Sequence, residues 1–452
     1  MRRFLGFLAA PMCLGGVMAS GADFQALFHN VPGVNGSAVP GIPGASFGPG
    51  TGTTHFDRVF GSGNYWGLTC DTDLATTEDE VLIVNGTVVG REGTPAPWTG
   101  GTENYGLLDG RVPVNSSGIF AFATNTSGPT TADEYIVSGN FGAGTFATVA
   151  RESDPVPGMP GVNYSLTLDT SVVTADGRVG YSGQVVGAGV TTNDDEILFL
   201  GTAQLAREGV TVPGNQVAGG TSAWDNFDLD GYWVSADGNQ WIVRGDLEGD
   251  TTIDKVAAVN GDVVLQEGQI IPGLDAPIAA SAIDGVFMDE SGNWYARGNN
   301  TDGDDWIVRN GAVIARKGDS VTGGAEAWSD AAFADLFFLH VGNSLGDYVI
   351  GGVTDEIDPL RDGVLVFNGT TVVARQGDPV DLDGNGLFDD DAYFNTFGND
   401  DAFLSDDLKL YIVATIMNGA GTAIGQGLFL TTVPEPAALL MLGVAALVLR
   451  RR

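Results

Sequence analysis

Cysteine is almost missing from this chain of 452 residues, with Cys13 and Cys70 its only two. Cys13 lies in an N-terminal apolar run, so the body keeps Cys70 alone and no internal disulfide can form. The fold must then rest on packing and sheet pairing. Basic residues are also scarce, with 20 Lys and Arg against 57 Asp and Glu. Such a surface repels nucleic acid and anionic lipid and attracts divalent cations, so no nucleic-acid partner is expected. The histidines are His29, His55 and His340, scattered and without metal-ligand spacing. No Gly-x-Ser-x-Gly elbow and no phosphate-binding Gly-Lys-Ser/Thr loop occurs. Carboxylates are too numerous for one pair to stand out as an acid–base couple. The sequence thus identifies no catalytic residue and no organic cofactor.

Glycine is abundant instead, at 68 residues, and 43% of the chain is hydrophobic, enough for a sizeable core. The apolar material is patterned at both ends. Arg2 and Arg3 precede an apolar run from Phe4, and small residues follow at Ser20 and Ala22. This is the layout of a signal peptide over residues 1–22, cut after Ala22, with Ala19 the alternative. At the other end Pro434, Glu435 and Pro436 precede thirteen apolar or small residues, and Arg450, Arg451 and Arg452 follow. As a helix, thirteen residues extend about 20 Å, against a hydrocarbon core of roughly 30 Å. The stub is too short for a comfortable span, and its arginines favour the cytoplasmic side. Removing both apolar ends takes five of the 20 basic residues and no acid, leaving 15 against 57, a net charge of −42.

The C-terminal pattern closely resembles the PEP-CTERM sorting signal of exported bacterial proteins. The resemblance covers residues 433–452 and implies recognition by an exosortase-type membrane protease, transient inner-membrane association and removal of the tail. It also implies a cell-surface or extracellular location, with exopolysaccharide or another matrix polymer as partner.

Between the ends a repeat runs through the body. "DEVLIVNGTVVGREG" at 79–93 recurs at 254–268, 304–318 and 362–377, with looser copies at 133–153 and 194–209. Each is an apolar run, Asn-Gly or an equivalent, and a second apolar run, which predicts a β-hairpin. A second turn-and-strand element lies upstream of each hairpin. Seven occur, about 54 to 61 residues apart, marked by Gly63, Gly118, Gly177, Gly238, Gly292, Gly346 and Asp407. Seven units of four strands predict an all-β fold over residues 23–432 that resembles a seven-bladed β-propeller. A pair of β-sandwiches is the alternative. The last unit lacks a fourth strand, and the stretch "DFQALFHNVPGVNG" near the N-terminus reads as its replacement, closing the ring. The "REG" that ends several hairpins reads as the start of a turn rather than a channel lining, and the tryptophans read as packing.

The sharpest local motif is "DLDGNGLFDDD" at 381–391. Asp381, Asp383, Asn385 and Asp389 occupy positions 1, 3, 5 and 9, and Leu387 offers its carbonyl at 7. Calcium takes six to eight hard oxygens, and a tight Gly turn lets close-spaced carboxylates wrap one ion. The motif resembles EF-hand-like and dockerin-type calcium loops. Ala392 replaces their last ligand, a role open to Asp390 or Asp391. A structural calcium ion is the expectation. The functional expectation is an exported structural or binding protein. The alternative is an extracellular polysaccharide-active enzyme, a lyase or glycosidase, on the same propeller.

Overall fold

The computed structural model describes residues 23–433 apart from 35–36, 49–55, 109, 323–325 and 332–335. The signal peptide with Ala22, the sorting motif Pro434–Pro436, Arg450–Arg452 and His55 lie outside the described residues. Among the described residues no helix is long and apolar enough to cross a membrane.

Each hairpin forms where the sequence places it, for a local reason. Asn310 and Gly311 both take positive φ, 48° and 80°, as a two-residue turn matched to strand twist requires. The Asn310 side chain then accepts a hydrogen bond from Trp294 N at 3.0 Å on the neighbouring strand. Asn85, Asn260 and Asn368 make the same bond to Trp66, Trp241 and Tyr348. One residue thus sets the turn and pins the start of the adjacent strand.

Among the described residues seven antiparallel sheets result, six of four strands and one of three. Blade 1 runs from Phe60–Ser62 at the axis to Thr87–Arg91 at the rim. Blade 3 starts at Val162–Val173, blade 4 at Trp224–Val234, blade 5 at Ile278–Met288 and blade 6 at Phe337–Gly342. Blade 2 has three strands, Ile119–Thr124, Tyr135–Asn140 and Thr145–Arg151. Its innermost position shrinks to a bridge between Val114 and Phe120. Pro113 precedes that bridge and cannot donate to a ladder.

Blade 7 closes the ring as the sequence predicts. Tyr393–Leu404, Lys409–Met417 and Ala423–Thr432 are completed by Gln25–His29, which pairs antiparallel with the last of these. Phe24, 1% exposed, meets Phe394 edge-on at 5.1 Å. The core is divided into seven apolar clusters, and each joins one blade to the next. Trp66 and Tyr411 share the cluster between blades 7 and 1, and Leu82 and Phe122 that between blades 1 and 2. Trp306 packs with blade 4, Ile307 with blade 6, and Leu365 with Phe394 of blade 7. A ring stabilised by such interfaces gains cohesion only when the last one is made. The N-terminal strand supplies part of it.

Trp66, Trp224, Trp306 and Trp328 are buried between blades, as the packing reading expects. The hairpin-end arginines sit on outer strands and pair with acids, as Arg207 does with Asp194 at 2.7 Å and Arg375 with Glu326 at 2.8 Å. Cys70 is buried on blade 1, where burial pushes its thiol well above the ordinary range.

Candidate functional site: the axial mouth and the girdle beside it

The turns from first to second strand of all seven blades gather on one face. There they surround a cavity of about 90 Å³, lined by the ends of the innermost strands. Trp233, Phe60 and Phe287 provide its aromatic floor. Trp233 lies 5.8 Å from Phe60 and 4.9 Å from Phe287, ring centre to ring centre. The rim is polar and acidic, with Asp289, Glu290 and Asp406. Glu290 of blade 5 reaches across the axis and accepts a hydrogen bond from Ser62 of blade 1. Burial raises its carboxyl pKa, and the nearby charges of Asp406 and Asp289 raise it further.

Charged groups close the axis next to the floor. Arg58 and Arg111 stack on Trp233, 5.0 and 4.8 Å from its ring centre. Arg111 also donates to the Tyr232 carbonyl at 3.2 Å, and its own carbonyl accepts from Thr170 at 2.8 Å, so it ties blades 2, 3 and 4. Arg244 pairs with Asp228 at 2.5 Å and donates to the carbonyls of Ile283 and Asp284 on blade 5. Lys255 donates to the other oxygen of Asp228 at 3.0 Å. Arg297 of blade 5 reaches Asp400 of blade 7 at 2.5 Å and the Phe338 carbonyl of blade 6 at 3.1 Å. His340 lies 3.2 Å from Asp400 through Nδ1.

Bulges place these acids. The inner strands slip register between Phe227 and Tyr232, around Gly285, and between Phe397 and Ala402. The extra residues swing Asp228 and Asp400 out of the ladder, and Asp400 takes φ 54°. Burial alone would raise the Asp400 carboxyl, but the charges of Arg297 and Arg58 and a hydrogen bond from His340 hold it far below the ordinary carboxylate range. Burial keeps His340 low despite Asp400, so the imidazole is neutral. Tyr295 lies beside it, ring centres 6.4 Å apart.

Sequence spacing does not pick out these residues. His340 is one of three scattered histidines, and Arg244 lies within an ordinary strand pattern. Their only sequence signal is the Asp and Gly insertion in "FDLDGYW" and "FGNDDAF".

The candidate calcium loop lies elsewhere, on the outer edge of blade 7. Asp381 bridges Gln25 of the closing strand. The carboxylate oxygens of Asp381, Asp383 and Asp390 come within 4.8 Å of one another, a spacing one cation can bridge with contacts of about 2.3–2.6 Å. Gly384 and Gly386 turn the loop at positive φ, and both donate to the Asp381 carboxylate at 2.9 Å. Asn385 Oδ1 accepts from Leu387 N at 2.6 Å. Asp389 is exposed and stands apart from the three, and Asp390 fills the third place. Asp391 is used otherwise, accepting from Gly419 N at 2.9 Å. The donor set is all hard oxygen and fits calcium.

A seven-bladed propeller with a narrow axial mouth is the class that fold and site define. No protein-family profile matches the chain, and no curated protein matches it by sequence. Solved structures match it distantly. A polysaccharide lyase is 12% identical with a TM-score of 0.42, over 92% of this chain and 98% of its own. An oligogalacturonate lyase in complex with manganese is 10% identical with a TM-score of 0.31, over 86% and 79%. Dipeptidyl peptidase 4 of Porphyromonas gingivalis is 10% identical with a TM-score of 0.34, over 83% and 60%. At this distance no activity carries over.

Proposed function

We propose that the chain is an exported cell-surface or extracellular-matrix protein whose propeller binds a matrix polymer, exopolysaccharide above all. The axial cavity carries this reading. All seven blades contribute to a mouth with an aromatic floor and polar rim, a concave site on the axis at which a polymer can dock. Beside it the charged groups are spent on one another, tying blade to blade. Calcium in the Asp381–Asp383–Asp390 loop would stiffen the edge on which the closing strand lies. Export follows from the two ends. A cut after Ala22 leaves Asp23 just ahead of Phe24 and the closing strand, so processing spares the ring. The tail would then be held briefly in the inner membrane and removed by an exosortase-type protease.

A polysaccharide-active enzyme is the second reading, favoured by the convergence of His340, Arg297, Asp400 and Tyr295. His340 Nε2 has no hydrogen-bond partner among the described residues. Against it, His340 is 1% exposed and none of the four lines the cavity. Screening the purified chain against polysaccharides for retention and for cleavage separates the two. Retention without shortening of the polymer supports the binding protein. Shortening that is lost in His340→Ala supports the enzyme.

A further inference from the structure

We propose that the mouth of the propeller faces the lipid surface while the tail is held in the membrane, so that removal of the tail also opens the mouth to polymer. The inference rests on the reading of tail and mouth given above and adds when that site is free. The seat of Val433 carries it. Val433 is 1% exposed, and its N–H donates to the Leu408 carbonyl at 2.8 Å. Leu408 belongs to the turn from first to second strand of blade 7, whose Ser405 and Asp406 line the axial cavity. The chain therefore leaves the ring on the mouth face, beside the mouth. The closing strand starts on the same face. Gln25 pairs with Leu430, and Lys409 with Thr432, so antiparallel pairing sets the start of one strand beside the end of the other. Asp23 is exposed there, and both apolar ends of the sequence join the body at this one face.

The distance to the membrane follows from the linker. Only Pro434, Glu435 and Pro436 stand between Val433 and the apolar run from Ala437. Fully extended, three residues reach about 10–11 Å. The second strand of blade 6, Tyr348–Val353, by itself rises about 20 Å at ~3.3 Å per residue. The linker is thus shorter than the blade is tall, and it is not long enough to turn the mouth face to solvent. Leu345, 70% exposed on the neighbouring turn of blade 6, puts an apolar side chain on the same side. That turn is bonded to blade 7, where Ser344 N donates to Asp406 at 3.0 Å. The acids of the rim oppose anionic lipid, but at physiological salt charge is screened over about 8 Å, inside the reach of the linker. One leucine and an acidic rim give this face little grip of its own, so the tether holds it and the cut frees it.

The test places the full-length chain, with Cys13→Ser, in vesicles of phosphatidylethanolamine and phosphatidylglycerol that carry a quencher on their headgroups. A fluorophore is attached at one of three positions. These are Leu345→Cys, Asn239→Cys on the blade 4 turn of the same face, and Ile357→Cys, 95% exposed on the opposite face. Cys70 is buried and is spared by the label. Quenching at Leu345 and Asn239 is expected to be at least about threefold that at Ile357, given the ~20 Å between the faces. A flexible Gly-Ser insert of about 20 residues after Pro436, with a root-mean-square length of ~25 Å, should bring that ratio near one while the chain still floats with the vesicles. Should Leu345→Cys not fold, Asn64→Cys, exposed on the blade 1 turn, takes its place. Equal quenching at the three positions of the parent, or the strongest at Ile357, overturns the proposal. Quenching at Leu345 without Asn239 shows a tilt that leaves the mouth open, and overturns it as well. In either case a chain that floats with the vesicles leaves the anchored-tail reading standing. A chain that does not float overturns that reading and the proposal with it.

Discussion

Replacing Arg297 by Met would remove one guanidinium and tests how the axis is held. Arg297 donates to Asp400 at 2.5 Å and to the Phe338 carbonyl at 3.1 Å, joining blades 5, 6 and 7. The two charged side chains are 10% and 14% exposed, so solvent screens the pair little and the figure for exposed ion pairs does not apply. Breaking a buried pair by removing one partner costs about 3–5 kcal/mol. The carboxylate left behind is desolvated, and His340 and Arg58 compensate only in part. The loss is a large share of a typical total of about 5–15 kcal/mol. Urea denaturation at pH 7 should show it as a drop in midpoint with the slope unchanged. Arg297→Met with Asp400→Asn should be less destabilised than Arg297→Met alone, because no uncompensated charge remains. A loss below about 1 kcal/mol for the single variant, the range of exposed pairs, would refute the reasoning.

Glu208 gives a pH dependence of defined sign. Burial raises its carboxyl pKa to about 7, above its unfolded value, so its contribution is complete below about pH 4.5 and fades as pH rises through 7. Stability should fall between pH 5 and 7.5 by on the order of 1 kcal/mol, allowing for partial solvent screening. Glu208→Gln should flatten that fall in denaturant melts. Asp400, held low, acts oppositely, and its contribution is lost only as pH drops below about 4. Asn310→Ala forces alanine into a φ of 48° and removes the bond to Trp294. Denaturant melts should register a cost of about 1–3 kcal/mol. Calcium should raise the melting temperature of the parent chain and leave Asp381→Ala unmoved, and a parent that does not respond contradicts the loop's role.

The ring was legible because its determinants are local. Asn310-Gly311 forces its turn whatever lies beyond, and alternating apolar residues face the neighbouring blade. Even the closing strand could be read, since "QALFH" has the pattern of a fourth strand and the last unit lacked one. The axis could not be read. Arg111 meets Tyr232 across 121 positions and Arg297 meets Asp400 across 103, and no spacing rule links such residues. The bulges that expose Asp228 and Asp400 look in sequence like acidic loops. In the metal loop, spacing picked out Asp381 and Asp383 but named Asp389 ahead of Asp390. The Asp390 carboxylate is turned inward by accepting from Leu382 N at 2.8 Å, a fold-back that residue spacing does not encode. The inner position of blade 2 is reduced to a bridge beside Pro113.

Mass spectrometry of the protein recovered from the cell surface tests the central reading most directly. An exported, sorted propeller should begin at Asp23, which leaves the closing strand intact, and should have lost Arg450–Arg452 with the apolar stub. A surface protein that still carries Met1 or ends at an intact Arg452 would contradict it.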